Sequence, residues 1–168
     1  MLRVTNLKEQ YIPLIANDKV IKICFDFEPF YDYDEDGNKI ETNVGTWTKH
    51  TFMTKRSHGQ IKDFILSEMN KRIDEKIVSG FTWNEMPVWL STENQFNYKA
   101  AYDLAIQTGG ANLPLVFKFG STEDPVYHTF TTVEELADFY AKAMQYINTC
   151  LAEGWARKDA INWDDYKL

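Results

Sequence analysis

Alternation of apolar and polar residues predicts a strand that begins near residue 21. Every second position is apolar and faces one side, namely Ile21, Ile23, Phe25 and Phe27. The positions between them are mostly polar, which is typical of a strand with one buried and one solvated face. The segment 34–38 contains an Asp-Gly dipeptide, which favours the positive φ angles of a hairpin turn. A return strand is therefore expected, and residues 1–56 are predicted to form a β-hairpin module.

Apolar residues spaced four apart predict a helix after the hairpin module. The helix is expected to begin at residues 57–60 and to end at Gly80. It would bury one continuous stripe, formed by Ile61, Ile65, Met69, Ile73 and Ile77. A second helix is predicted with Thr92 as its N-cap, because Gln95 follows three residues later and completes a capping box.

The remaining sequence predicts a second hairpin and a long closing helix. Two strand-like runs, 115–119 and 126–130, flank a turn-rich segment. A capping sequence then opens an amphipathic helix that extends toward Asn162, unless Gly154 ends it early or bends it. These elements predict an α+β fold with antiparallel β-hairpins and three helices, of which the C-terminal one is long. Residues 57–168 form the second predicted module, and both modules are expected to fold as one compact domain.

Composition and charge restrict the classes of function. The chain has 168 residues, of which 44% are hydrophobic and 15% aromatic, so it is long enough for one well-packed core. Its formal charge is −7, and no stripe of Lys and Arg could neutralise several phosphates, so no nucleic-acid partner is expected. Cys24 and Cys150 have neither metal-site nor disulfide spacing. Because no apolar run has signal-peptide or membrane-spanning length, we expect a soluble protein without a membrane partner.

No motif with the spacing of a known catalytic or cofactor-binding site is present. The sequence has no phosphate loop, nucleophile elbow, zinc-protease helix or dinucleotide fingerprint, so no catalytic residue and no cofactor are predicted. One metal candidate is incomplete. Asp32, Asp34 and Asp36 reproduce the opening of a calcium loop, but Asn43 stands where its bidentate Glu is needed. We therefore interpret the segment as a hairpin tip with an adventitious cation site rather than a dedicated one.

Aromatic residues give the chain its main capacity for recognition. Trp47, Trp83 and Trp89 lie in strand-like segments and are predicted to belong to the core. The long helix and the tail after it are predicted to contact other polypeptides, because exposed rings favour an interface. The interface candidates are Tyr140, Ile147, Leu151, Trp155, Trp163 and Tyr166.

Between about residues 73 and 161, short motifs follow one another in a distinctive order. They are Gly80-Phe81-Thr82, Val88-Trp89-Leu90-Ser91, Asn94-Gln95-Phe96-Asn97-Tyr98, Gly110-Ala111, Leu115-Val116-Phe117-Lys118-Phe119, His128-Thr129-Phe130 and Val133-Glu134-Glu135-Leu136. In order and spacing this stretch resembles a phage domain family of unknown function, found in tail-fibre and fibre-assembly proteins of tailed phages and prophages. The family implies a role in the virion and supplies no catalytic position to transfer. The chain departs from it in the closing helix, which is aromatic where many members are rich in Ala. The aromatic, Asn- and Asp-rich style also resembles proteins of crAss-like phages.

The residues and the resemblance together favour a structural or assembly component of a tailed-phage virion, associated with a fibre, collar, tail or capsid. Such a protein is expected to be made in the host cytoplasm and to bind other virion proteins or copies of itself. An alternative is a glycan-binding module that stacks host sugars on Trp89 or Trp163. A further alternative, an acid/base glycan hydrolase, requires two carboxylates about 5–10 Å apart across a cleft, which sequence cannot place.

Overall fold

The computed structural model describes residues 1–168, which form two compact units. Unit 1 comprises Met1–Met69 and Arg157–Leu168, and unit 2 comprises Asn70–Ala156. Each unit has a hydrophobic core of its own. The fold is α+β with antiparallel hairpins and three helices, as the sequence predicts. The predicted modules divide the chain after residue 56, whereas unit 1 also takes in part of the first helix and the C-terminal tail. A single folding domain stays a prediction.

Unit 1 is built on a four-stranded antiparallel sheet with the strand order β1-β4-β3-β2. Its strands are β1 (Leu2–Leu7), β2 (Leu14–Ala16), β3 (Ile21–Tyr33) and β4 (Lys39–Phe52). β3 and β4 form the predicted hairpin, and their 13 and 14 residues make them far longer than the edge strands, which have 6 and 3. The sequence pattern does not predict β1, because all but one of its residues are exposed and it has no buried face to produce alternation.

One face of this sheet packs against the first helix, α1 (His58–Ser79). The helix begins at a reciprocal cap, since the Ser57 hydroxyl accepts from the Gln60 backbone N–H and the Gln60 side chain accepts from the Ser57 N–H. Its predicted stripe is buried or partly buried along the whole helix. The buried core of unit 1 combines residues of the sheet, the helix and the tail: Ile21, Ile23, Phe25, Phe52, Ile61, Ile65, Met69 and Tyr166.

A bulge in β3 creates an ionic cluster around a buried carboxylate. Between Phe25 and Glu28 the pairing with β4 shifts, and Asp26 adopts a positive φ of 61°. The Asp26 side chain is only 3% exposed, and its carboxylate pairs with the guanidinium groups of Arg3, at 3.0 Å, and Arg157. Both arginines also pair with Glu28. The cluster therefore ties β1 and the C-terminal segment to the sheet of unit 1.

The remaining elements are two short hairpins and two helices. They are β5 (Phe81–Trp83), β6 (Met86–Val88), α2 (Thr92–Thr108), β7 (Leu115–Gly120), β8 (Pro125–Phe130) and α3 (Val133–Asp159). Phe139 of α3 is fully buried among aromatic rings in the core of unit 2. Six ring centroids lie between 5.0 and 6.4 Å from its own, those of Phe81, Trp83, Tyr98, Phe117, Phe119 and Phe130. None of the three helices has the combination of length and apolar character that a membrane span requires.

The structure corrects one predicted helix cap and decides one alternative at Gly154. The N-cap of α2 is Ser91 rather than Thr92, and its hydroxyl accepts a hydrogen bond from the Asn94 backbone N–H. Gly154 does not end α3, which continues to Asp159. A Cβ atom on Gly154 would lie 2.2 Å from Cδ1 of Ile73, so the glycine makes room for a close side-chain contact inside a continuous helix.

Candidate functional site: an exposed β-arm

The outer part of the β3–β4 hairpin extends beyond the rest of the sheet. β1 pairs with β4 only as far as Val44, and β2 pairs with β3 only over residues 21–23. Residues 29–33 of β3 and 39–43 of β4 therefore have no third strand beside them. We call residues 29–43 the β-arm.

The β-arm exposes four large apolar side chains. Their exposed fractions are 47% for Phe30, 43% for Tyr31, 67% for Tyr33 and 50% for Ile40. A two-stranded ribbon is only marginally stable in water unless it packs against something else. Open strand edges with apolar side chains also mark surfaces that pair with other chains. The β-arm is therefore the candidate interaction site of unit 1.

The strand register distributes these side chains over both faces of the β-arm. Tyr31 and Tyr33 share one face with Lys39, which lies directly opposite Tyr33. The Lys39 ammonium lies 3.9 Å from the centroid of the Tyr31 ring, a cation–π contact. Ile40 lies opposite Asp32 on the other face. Each face thus presents an apolar group with a charge beside it.

Asp34 holds the tip of the β-arm. Its Oδ1 accepts hydrogen bonds from the backbone N–H groups of Asn38, at 2.7 Å, and Asp36, at 3.0 Å, and its Oδ2 accepts one from the Asn38 side chain. These hydrogen bonds lower the pKa of Asp34 below its ordinary value, and those from Asn38 have the largest effect. No group of three or more His, Cys, Asp or Glu side chains in the structure could hold a metal ion. The adventitious cation site at Asp32, Asp34 and Asp36 stays a prediction.

The β-arm is strongly acidic. Five carboxylates and one lysine give it a formal charge of −4: Asp32, Asp34, Glu35, Asp36 and Glu41 against Lys39. One of the five, Glu41, pairs with Lys8 at the base of the β-arm. A complementary partner is therefore expected to offer an apolar surface with basic side chains at its rim.

The four interface candidates on α3 differ in exposure. Tyr140, Ile147 and Leu151 are partly buried against the core of unit 2, and the Tyr140 ring stacks on Tyr102 with 4.8 Å between centroids. Trp155 is 58% exposed. Of these four residues, Trp155 therefore offers the most surface to a partner, and the interface at α3 stays a prediction.

Trp163 and Tyr166 lie in unit 1 and contact its core. Tyr166 is 3% exposed, and its hydroxyl donates to the carbonyl oxygen of Cys24 at 2.8 Å. Burial, followed by the hydrogen bond with Tyr11, raises the pKa of Tyr166 above its ordinary value. Trp163 is partly buried, with the Lys62 ammonium 4.9 Å from the centroid of its ring. The two rings thus hold the C-terminal tail in unit 1, and a partner contact there stays a prediction.

The structure corrects the prediction for one tryptophan. Trp47 and Trp83 are buried, with 0% and 2% exposure, whereas Trp89, predicted to be in the core, is 55% exposed. Its neighbours Val88 and Leu90 are buried, so the alternation of an extended segment holds but Trp89 occupies the outer face. Trp89 lines a cavity of about 600 Å³ in unit 2, together with polar residues that include Asn94, Lys118, Thr122 and Asp124.

The sequence pattern does not identify the β-arm as a candidate interaction site. A signal was present, because Phe30-Tyr31-Asp32-Tyr33 puts three rings directly before a turn. What the pattern could not reveal is how far the neighbouring strands extend. The β-arm is uncovered because β1 and β2 stop short of it, and both strands are too short or too exposed to be recognised.

Residues 60–167 match the model of a protein family described as Domain of unknown function (DUF4376). The match covers well over half of the 168 residues. The chain belongs to this family. The β-arm and the sheet of unit 1 precede the matched region. Neither a curated protein nor a solved structure matches the chain.

Proposed function

We propose that this protein is a non-catalytic structural or assembly component of a tailed-phage virion, and that it binds another polypeptide of the particle through the β-arm. The placement in a virion is supported by the order of motifs that resembles the tail-fibre-associated phage family. The observation that carries the binding role is the ribbon of residues 29–43, which has four exposed apolar side chains and no third strand.

Burial energetics favour a bound β-arm over a free one. Removing a large apolar side chain from water contributes roughly 1.5–3 kcal/mol. Tyr33 and Ile40 lie on opposite faces of the ribbon and are at least half exposed. Burying both side chains against a partner would therefore contribute much of this free energy to binding. The open edges of both strands can add main-chain hydrogen bonds to the contact.

The doubly substituted variant Tyr33→Ser/Ile40→Ser tests this proposal. We expect it to be incorporated into particles about ten-fold less than the unchanged protein, because each substitution removes apolar contact area from one face of the β-arm. Incorporation is measured by quantitative mass spectrometry of particles purified from cells that supply either form of the protein.

Tyr127→Ser is the matched control. Tyr127 is 65% exposed on β8, almost the same as the 67% of Tyr33, but lies in unit 2. The control should be incorporated normally. Normal incorporation of the β-arm variant, or absence of the unchanged protein from purified particles, would contradict the proposal.

A second candidate function is glycan binding, and the exposure of Trp89 favours it. Sugars stack on the face of an exposed indole while neighbouring polar groups bond their hydroxyls. The cavity beside Trp89 provides such groups in the side chains of Asp124 and Thr122.

Glycan-array binding by the variant Trp89→Ala tests this second candidate. If the cavity holds a sugar, the array signal of the unchanged protein should be lost in Trp89→Ala and retained in Trp155→Ala, whose indole is similarly exposed at 58%. An unchanged protein that retains no glycan, or equal loss in both variants, excludes this function.

A further inference from the structure

Unit 1 contains a groove on the sheet face that points away from α1. Residues of β3 alternate, so Ile23 faces the α1 core while Lys22 and Cys24 face the groove. The groove has a volume of about 680 Å³. We call this cavity the lysine groove, and the residues that line it include Leu2, Ile12, Ile15, Lys22, Cys24, Lys49 and Thr51.

The strand register explains how the lysine groove is formed. Leu2 and Cys24 both pair with Lys49, which places one row of side chains across three strands. Ile15 lies opposite Lys22 in the neighbouring row. Directly opposed residues of an antiparallel sheet share a face, so apolar groups from both edge strands surround two central lysines.

The lysine groove is apolar and basic. Leu2, Ile12 and Ile15 are 64%, 48% and 49% exposed, and no Asp or Glu lines the cavity. Neither Lys22 nor Lys49 forms an ion pair in the structure. The Lys49 ammonium lies 5.6 Å from the centroid of the Trp47 ring. The groove thus has the properties expected of a partner for the β-arm, an apolar surface with unpaired positive charge.

The β-arm cannot occupy the lysine groove of its own chain. Both belong to the same sheet, and seven residues of extended strand, about 23 Å, separate Cys24 in the groove from Tyr31 in the β-arm. Two β-arms are not expected to bind each other either, because each carries a formal charge of −4 and they repel. The complementary surfaces therefore belong to different molecules.

We propose that the β-arm of one copy docks in the lysine groove of a second copy. Acidic side chains of the β-arm that form no ion pair, including Asp32, Glu35 and Asp36, approach Lys22 and Lys49. Apolar side chains of the β-arm fill the groove. Because two different patches meet, two copies that exchange β-arms close into a two-fold dimer, whereas a one-way contact repeats head-to-tail as a ring or a chain. This inference rests on the proposed function, since it names the partner of the β-arm.

Charge reversal on each side provides the test. The groove variant is Lys22→Glu/Lys49→Glu. The β-arm variant is Asp32→Lys/Glu35→Lys/Asp36→Lys, which changes the formal charge of the β-arm from −4 to +2. We expect the unchanged full-length protein to self-associate with rising concentration and more weakly with rising salt, as measured by sedimentation velocity and light scattering. Each variant alone should associate about ten-fold more weakly or not at all, because its β-arm and groove then carry the same sign of charge.

An equimolar mixture of the two variants should restore association. The basic β-arm of the β-arm variant fits the acidic groove of the groove variant, and the unchanged β-arm of the groove variant fits the unchanged groove of the β-arm variant. Lys19→Glu/Lys55→Glu is the matched control, with the same change of charge at exposed residues outside the groove, and should associate like the unchanged protein. Circular dichroism of each variant confirms that it is folded.

A monomeric unchanged protein at the highest soluble concentration, or a mixture that fails to associate, overturns docking between copies. This failure differs from failure of the proposed function. If the Tyr33→Ser/Ile40→Ser variant is still excluded from particles while the unchanged protein is monomeric, the β-arm binds a different virion protein. If that variant enters particles normally, the proposed function itself fails.

Discussion

Replacing Phe139 by alanine is expected to lower the free energy of unfolding of unit 2 by about 3–5 kcal/mol, the cost of emptying a packed aromatic core. Phe139 is fully buried, and six aromatic rings lie around it with centroids no more than 6.4 Å away. Alanine would leave a cavity that rings on four other elements cannot close without moving the backbone. Urea denaturation measures the change.

Tyr127→Ala is the control for this prediction. Its ring is 65% exposed on β8, so its removal should change the free energy of unfolding by no more than about 0.5 kcal/mol. A loss below about 1 kcal/mol for Phe139→Ala would show that the aromatic cluster is not the core of unit 2.

Replacing Asp26 by alanine is expected to lower the free energy of unfolding of unit 1 by about 4 kcal/mol, the low end of the sum of two effects, because both arginines are partly exposed. Two effects add. Charge-assisted hydrogen bonds to Arg3 and Arg157 are lost, at roughly 1.5–3 kcal/mol for a hydrogen bond to a charged group. Alanine must also adopt the φ of 61° that Asp26 holds, which costs roughly 1–2 kcal/mol for a residue with a Cβ atom and no local hydrogen bond.

Asp26→Asn separates the two effects. Asparagine tolerates a positive φ and keeps an acceptor oxygen, so this variant should lose only part of the stability that the alanine variant loses. The two variants are compared by urea denaturation under the same conditions. Equal losses for both would mean that the backbone conformation contributes nothing, and no loss for either would contradict the structural role of the ionic cluster.

The fold was predictable wherever burial follows a regular period. The α1 stripe from Ile61 to Ile77 reflects one buried face, so the pattern determines the element. Alternation also predicts β3 correctly as a strand, but not its burial, because Cys24 and Asp26 on the face predicted to be solvated are buried as well. Trp89 shows the limit of this reasoning. Alternation correctly indicates an extended segment, but it does not decide which of two apolar rows faces the core, and Val88 and Leu90 occupy the inner row.

The candidate site was less predictable because it depends on the absence of neighbouring strands beside the β-arm. The sequence around Phe30 and Tyr33 resembles that of a buried hairpin. The two side chains are exposed only because β1 and β2 do not extend beside them. The lysine groove is a property of the strand register. Leu2 and Lys22 are distant in sequence, and they meet only because four strands align them on one face.

The bulge at Asp26 is another feature that the sequence pattern does not predict. Its positive φ is unusual for a residue other than glycine, and it turns the carboxylate inward to two arginines from distant parts of the chain. Nothing in the local sequence of β3 distinguishes Asp26 from the solvated acidic residues nearby. Tertiary context therefore determines its role.

Cross-linking of intact virions tests the central claim most directly, that the β-arm binds a polypeptide of the particle. Lys39 is the only lysine of the β-arm and reports its surroundings to an amine-reactive cross-linker. We predict cross-links from Lys39 to a polypeptide of the particle, with Lys22 or Lys49 of a second copy as the reacting groups if copies dock with one another. Particles that contain the protein but whose Lys39 forms no cross-link and is labelled as fast as in the free protein would contradict the account.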